Sequence, residues 1–308
     1  MPLSTDPGIS KSLKRTWISW VLLGVLVVCW GSSFALTKIS VETISPEWVV
    51  AIRQITATLI LVPFAYAKGE VFPEYTLWPS IFWLSITGFV LPFFAIAWGL
   101  QYIESGLGGI LIATIPLVIT ILAHLLLPDE RMGWLKLAGV IIGFVGAIFM
   151  IGPAKLLSIQ NQGMAFWGQM AVLLGAFSYA LHAVTTRRAP QMTVIGRSAY
   201  VSLASCLLVV PYALISTPEK LWQGSPASWI AVIMLGIFAS AIASILLYRL
   251  LEHAGASFVS FVNYLIPAFA VLLGAIALGE RLALEVLFGF GFILLGVAIS
   301  EIGFRRQQ

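Results

Sequence analysis

The sequence predicts an all-α integral membrane protein, with ten transmembrane helices arranged as two inverted five-helix repeats. Three observations predict it. Of 308 residues, 60% are hydrophobic and only 10% charged, against about 25% charged in an ordinary soluble domain. The apolar residues come in runs of about 20, the length a helix needs to cross ~30 Å of hydrocarbon. Finally, one stretch of the chain occurs twice. Tyr102 lies 14 residues before Pro116 and Glu130–Arg131 begins 14 after it, while His253 lies 14 before Pro267 and Glu280–Arg281 begins 13 after it. Glycines follow each Glu–Arg pair at the same offsets, Gly139 and Gly146 in the first copy, Gly289 and Gly296 in the second. Duplication inside a hydrophobic chain marks two pseudo-symmetric halves.

Ten runs read as spans: 17–37, 47–66, 78–101, 106–127, 134–152, 164–185, 197–216, 227–250, 256–278 and 283–303. Their length, and the lack of short alternating segments, selects helices over a barrel. The halves are residues 1–152 and 153–308, with five spans each. An odd number of spans turns the second half upside down relative to the first. The first span follows Lys11, Lys14 and Arg15, as a signal peptide would, but its apolar run is too long for a cleaved segment and reads as a retained helix.

Charge sets the orientation. With the N-terminus cytoplasmic, twelve of the 17 Lys and Arg fall inside and four outside, Lys38, Lys155, Lys220 and Arg281. That bias places both termini in the cytoplasm. The net charge of +4 is scattered over loops, which argues against a nucleic-acid partner. Cys29 and Cys206 lie within apolar spans and read as small hydrophobic filler, with no metal or cofactor motif.

Taken in order, span one carries Trp30 and Phe34 on one face, and span two carries Arg53, the one basic residue inside a run. Arg53 reads as snorkelling or structurally paired ahead of substrate contact. Span three presents Phe94, Trp98 and Tyr102 at i, i+4 spacing, Tyr102 serving as an interface anchor. Pro92, Pro116 and Pro267 interrupt spans three, four and nine and free the carbonyls of Gly88, Ile112 and Asn263. The symmetric pair, Pro116 and Pro267, reads as hinges; Pro92 reads equally as a packing kink. Spans five and ten are glycine-rich and almost without polar side chains, so they read as packing helices away from any substrate. Span six offers Ser178, Tyr179 and His182, span eight Ser240, Ser244 and Tyr248, and span nine Asn263 and Tyr264. Asn263 is expected to be buried, where an unpaired amide is costly.

No Asp or Glu lies in the middle of a span. Ion coupling through an intramembrane acid is therefore not expected; His124 and His182 are the remaining candidates. The lining so read is Trp30, Phe34, Trp98, Tyr179, His182, Tyr248, Asn263 and Tyr264. It holds hydroxyls, an amide and aromatic faces without a fixed charge, which suits a net-neutral or zwitterionic small molecule.

The segments "LYRLLEHAGASFVSFVNYLIPAFAVLLGAIALGERL" (247–282) and "YIESGLGGILIATIPLVITILAHLLLPDERMGWLKLAGVIIGFVGAI" (102–148) resemble the two EamA domains of the drug/metabolite transporter superfamily. Trp30–Gly31 also fits, and "LPDER" departs from the usual Gly-Glu-Arg turn. The resemblance implies a central cavity between spans 1–4 and 6–9 and a place in the bacterial inner membrane. It also implies export of amino acids, aromatic ones included, or of related metabolites. An organic-anion or nucleotide-sugar antiporter of the same superfamily would need more basic residues than Arg53. A small-solute channel is the other alternative. An intramembrane serine enzyme would need Ser and His on facing spans; "GAS" at 255–257 has no such His after it.

Overall fold

The computed structural model describes residues 7–128, 132–151, 163–217, 223–254, 256–259 and 261–305. All regular structure among them is helical. The helices are α1 (Pro7–Val41), α2 (Pro46–Ala67), α3 (Tyr75–Gly99), α4 (Ser105–Leu126), α5 (Trp134–Ile151), α6 (Met164–Thr186), α7 (Val194–Ser216), α8 (Pro226–Ala254), α9 (Val262–Leu278) and α10 (Leu284–Arg305). A short helical turn, Ala256–Val259, precedes α9. Glu130–Arg131, Lys155, Lys220 and Gly255 lie outside the described residues.

Seven helices are long and apolar enough to cross a membrane, namely α1 from Trp17, α2, α3, α4, α6, α7 and α8; the apolar parts of α5, α9 and α10 are shorter. Their outward surface is itself apolar. Leu59, Ile215, Ile276 and Phe288 are 70%, 82%, 75% and 65% exposed, a distribution that suits lipid and not water.

Eight helices follow one another round a closed circuit of contacts: α1, α8, α2, α7, α3, α6, α4, α9 and back to α1. The remaining two, α5 and α10, pack on each other outside it. Glycine decides how closely they approach. A Cβ on Gly139 would meet the Gly296 carbonyl at 2.4 Å, and one on Gly146 would meet the Gly289 carbonyl at 2.6 Å. Because the earlier glycine of one helix faces the later glycine of the other, the two helices run antiparallel. The expected packing role of spans five and ten is what the contacts show.

The end of the bundle near Val41 is tied both within the first half and across the two halves. Lys38 Nζ donates to the carbonyls of Leu100 and Ile103 at 2.7 and 2.9 Å. Thr43 Oγ1 donates to Ser228 Oγ at 2.8 Å, and Trp48 Nε1 donates to the Thr217 carbonyl at 2.8 Å. Glu280, just past α9, caps the start of α4: its two carboxylate oxygens accept from the backbone N–H groups of Ser105 (2.6 Å) and Gly106 (2.9 Å). A carboxylate there satisfies orphan donors and the positive end of the helix dipole. Gly279, at φ 67°, ends α9 in the left-handed conformation and turns Glu280 back, its N–H bonding the Gly274 carbonyl at 3.1 Å. Nearby, burial first and the Glu280 charge second hold the Glu104 carboxyl above its ordinary range, opposed by Lys38. The start of α4 thus lies beside the end of α9, so these two helices also run in opposite directions.

The prolines do not act alike. At Pro116 the helix breaks: Ala113 and Thr114 form a turn with i→i−3 bonds to Ile110 and Leu111. At Pro267 the helix continues from Val262 to Leu278, and its neighbouring break falls earlier, at Phe261. The symmetric interruption expected from the sequence is therefore present in α4 and absent at Pro267.

The α5–α10 contact makes a direct prediction. Gly139→Leu should lower the thermal midpoint of the purified protein, by roughly 1–3 kcal/mol of overpacking. Gly291→Leu, where a Cβ meets nothing within 4 Å, should leave the midpoint within error. Equal midpoints for the two variants would show that the glycine contact carries no stability.

Candidate functional site

On α2, Val49, Arg53, Ala57 and Leu61 recur at i+4 and are all buried, so Arg53 falls on the inward face of its helix. It does not snorkel: only 8% of the residue is exposed. Its Nε donates to Ser240 Oγ on α8 at 2.8 Å. The guanidinium carbon stands 3.7 Å from the centre of the Phe93 ring on α3, a cation–π contact. Gly236 makes this approach feasible, since a Cβ there would meet Thr56 at 2.4 Å and the Arg53 carbonyl at 2.9 Å. The sequence reading leaves Arg53 out of the lining; the structure keeps it inside the bundle. A guanidinium sits where four helices meet, because the inward face of α2 gives it no route to the surface.

Both α3 and α8 depart from regular α-helix at this level. Residues Ile86–Val90 and Leu235–Ile242 are π-helical. In α3 the Leu91 N–H reaches back five residues to the Ile86 carbonyl. The next carbonyl in that register, Thr87, would take its bond from residue 92, which is proline and has no N–H. Ser178 Oγ on α6 donates to it instead, at 2.7 Å. The π register has therefore moved the freed carbonyl from Gly88, as simple α-helix counting predicts, to Thr87. One turn further along α6, His182 Nδ1 lies 3.1 Å from the Leu84 carbonyl; a carbonyl only accepts, so Nδ1 carries the proton. The imidazole lies over Gly88, where a Cβ would meet it at 2.3 Å.

A continuous aromatic series follows. The His182 ring lies 6.4 Å from Phe89, Phe89 lies 5.5 Å from Phe93, and Phe93 lies 6.2 Å from Tyr179, all edge-on. Arg53 and Tyr179 thus share Phe93 as a neighbour. Of the residues expected from the sequence, Tyr179 and His182 therefore belong to one cluster. Trp30 packs against the buried cluster of α1, α8 and α9 that contains Leu26, Val27, Ala243 and Val262. Phe34, 6% exposed, is core beside Leu100 and Ile110, as is Tyr264 in part.

The others lie elsewhere. Trp98 pairs with Tyr102 at 5.0 Å, near the Val41 end. Tyr248 lies near Glu252, one turn along its own helix. Asn263, expected to be buried, is exposed near the start of α9. The sequence reading passed over Phe89 and Phe93; of the two readings given for Arg53, snorkelling and structural pairing, the structure shows the pairing. The available signal was a lone arginine at i+4 from apolar residues that all prove buried.

Comparison with known proteins fits this architecture. An "Uncharacterized transporter YoaV" of Bacillus subtilis is 22% identical over 94% of this chain and 99% of its own. The "S-adenosylmethionine/S-adenosylhomocysteine transporter" of Chlamydia muridarum is 26% identical over 87% of this chain and 86% of its own. The "Uncharacterized inner membrane transporter YedA" of Escherichia coli is 25% identical over 91% and 90%. A protein crystal structure superposes with a TM-score of 0.65 at 20% identity, covering 92% of this chain and 98% of that one, which is a likeness of fold alone. The EamA-like transporter family matches residues 15–152 and 166–301, nearly the whole chain in two copies. The match covers both halves of this helical chain, and the chain belongs to the EamA-like transporter family.

Proposed function

We propose that the protein is a secondary transporter that exports small metabolites, amino acids foremost, across the bacterial inner membrane by alternating access. All ten helices cross the bilayer, and the halves 1–152 and 153–308 lie in it with opposite orientation. The observation that carries the reading is the closed circuit of eight helices, drawn alternately from both halves, with the Arg53–Phe93–Tyr179–Ser240 cluster among them. The antiparallel pairings of α5 with α10 and of α4 with α9 support the inversion.

Contacts of α1 with the far part of α3 and the start of α4 join helices across the circuit at the Val41 end. Among the described residues, α6 makes no comparable packing with α8 or α9 at the opposite end. This arrangement supports a state closed at the outer, Val41 end and open toward the cytoplasm. The substrate is held by Tyr179 and His182, with Trp30, Phe34 and Tyr264 behind them. Trp98, Tyr248 and Asn263 meet it on the way in or out. The substrate of the chlamydial relatives, S-adenosylmethionine, carries an amino-acid head group, which is consistent with that substrate class.

Topology is directly checkable. With a cytoplasmic N-terminus, Gln101→Cys should react with an impermeant thiol reagent added to intact cells, and Arg188→Cys should react only after permeabilisation. The reverse pattern would invert the orientation, and labelling of both from outside would remove the ten-span reading.

Purified protein in liposomes should exchange labelled amino acids across the membrane, while protein-free liposomes do not. If nucleotide sugars or phosphorylated metabolites move and amino acids do not, the substrate class is wrong. Rates that keep rising with concentration without saturation would point to a channel.

The hinge proposal now separates the two prolines. Pro116→Ala should allow α4 to close its break and should slow transport several-fold at unchanged expression. Pro267→Ala, in a continuous helix, should slow it less. Equal wild-type rates in both variants would leave these prolines as packing features.

A further inference from the structure

We propose that Arg53 is the fixed cation of the transport site and recognises one carboxylate, so that the substrates are small carboxylic acids and zwitterionic amino acids. This rests on the transport reading above and narrows it. Arg53 is 92% buried by its 8% exposure, at the meeting of α2, α3, α6 and α8. Its Nε is used by Ser240, which fixes the plane of the guanidinium and leaves the two terminal nitrogens as a fork. No carboxylate lies within ion-pair distance of it among the described residues.

A guanidinium buried without an anion is costly, and one neutral hydrogen bond and one aromatic face offset only part of that cost. A carboxylate is the group that completes it, because two parallel N–H···O bonds match the planar fork. The surroundings set the rest of the ligand. Phe93 lies against the guanidinium and Tyr179 beside Phe93, with Phe89 and His182 continuing the series. These faces accept an apolar or aromatic side chain next to the carboxylate. One cation suits one carboxylate; a phosphate dianion would be left half neutralised. Gln54, the next residue on α2, is fully buried with neither amide atom paired, so this level of α2 holds further unused hydrogen-bonding groups.

The test uses the intact purified protein and three probes: L-phenylalanine, 3-phenylpropionate and L-phenylalaninamide. In liposomes, phenylpropionate should compete with labelled phenylalanine, and the carboxamide should compete about tenfold less well or worse. Arg53→Lys, which keeps the charge and loses the fork, should raise the apparent KM for phenylalanine about tenfold. Arg53→Gln should abolish the preference of acid over amide. Should Arg53→Gln fail to fold, the comparison of acid with amide on the wild-type protein still decides the matter. Equal competition by acid and amide, or an unchanged acid preference in a folded Arg53→Gln protein, overturns the inference while leaving transport intact. A wild-type protein that moves no solute would instead overturn the transport reading itself.

Discussion

Inside hydrocarbon a backbone carbonyl without a hydrogen bond has no water to turn to, and this constraint organises the helices of the protein. Where a helix is regular, it satisfies itself. Where Pro92 removes a donor, the π register of Ile86–Val90 passes the deficit to Thr87, and Ser178 from another helix supplies the bond. His182 adds a second bond between the same two helices, to the Leu84 carbonyl. A local defect in α3 thus becomes a fixed joint between α3 and α6. The second π segment, Leu235–Ile242, brings Ser240 and Gly236 against α2 and fixes Arg53. Both irregular stretches therefore lie where the two halves of the chain meet.

Between regular helices in lipid there is little hydrophobic drive to associate, so contact depends on close approach and on hydroxyl bonds. The chain uses both. Glycines allow backbone-to-backbone contact of α5 with α10, and of α3 with α6 through Gly99 and Gly168. Hydroxyl pairs join α2 and α3 to α7, Thr58 to Ser202 and Ser85 to Ser205, each at 2.9 Å. Such bonds are individually worth about 1 kcal/mol. That is enough to hold a packed arrangement without making it irreversible.

Polar groups at the Val41 end work differently. Lys38 and Glu280 each serve backbone groups, Lys38 the Leu100 and Ile103 carbonyls just past α3 and Glu280 the first N–H groups of α4. Charge there is applied to helix ends, where it complements the dipole. The buried charge of Arg53 is of another kind. It sits at the side of a helix, away from any terminus, and so calls for a counter-ion that the protein itself does not supply among the described residues.

The sequence by itself determined the helical class, the approximate limits of the runs, the internal duplication and the packing role of α5 and α10. These were legible because a membrane helix satisfies its own backbone, so its existence is a local property of composition and length. Glycine spacing is local in the same way. What only the tertiary structure decided was which side chains face one another. Arg53 meets Ser240 across 187 residues of chain, and Ser178 meets Thr87 across 91; no local pattern encodes such a pairing. The shift of the freed carbonyl from Gly88 to Thr87, the exposure of Asn263, and the unequal behaviour of Pro116 and Pro267 belong to the same category. Each depends on how a neighbouring helix packs, which fixes the register and rotation of a helix that composition alone leaves free.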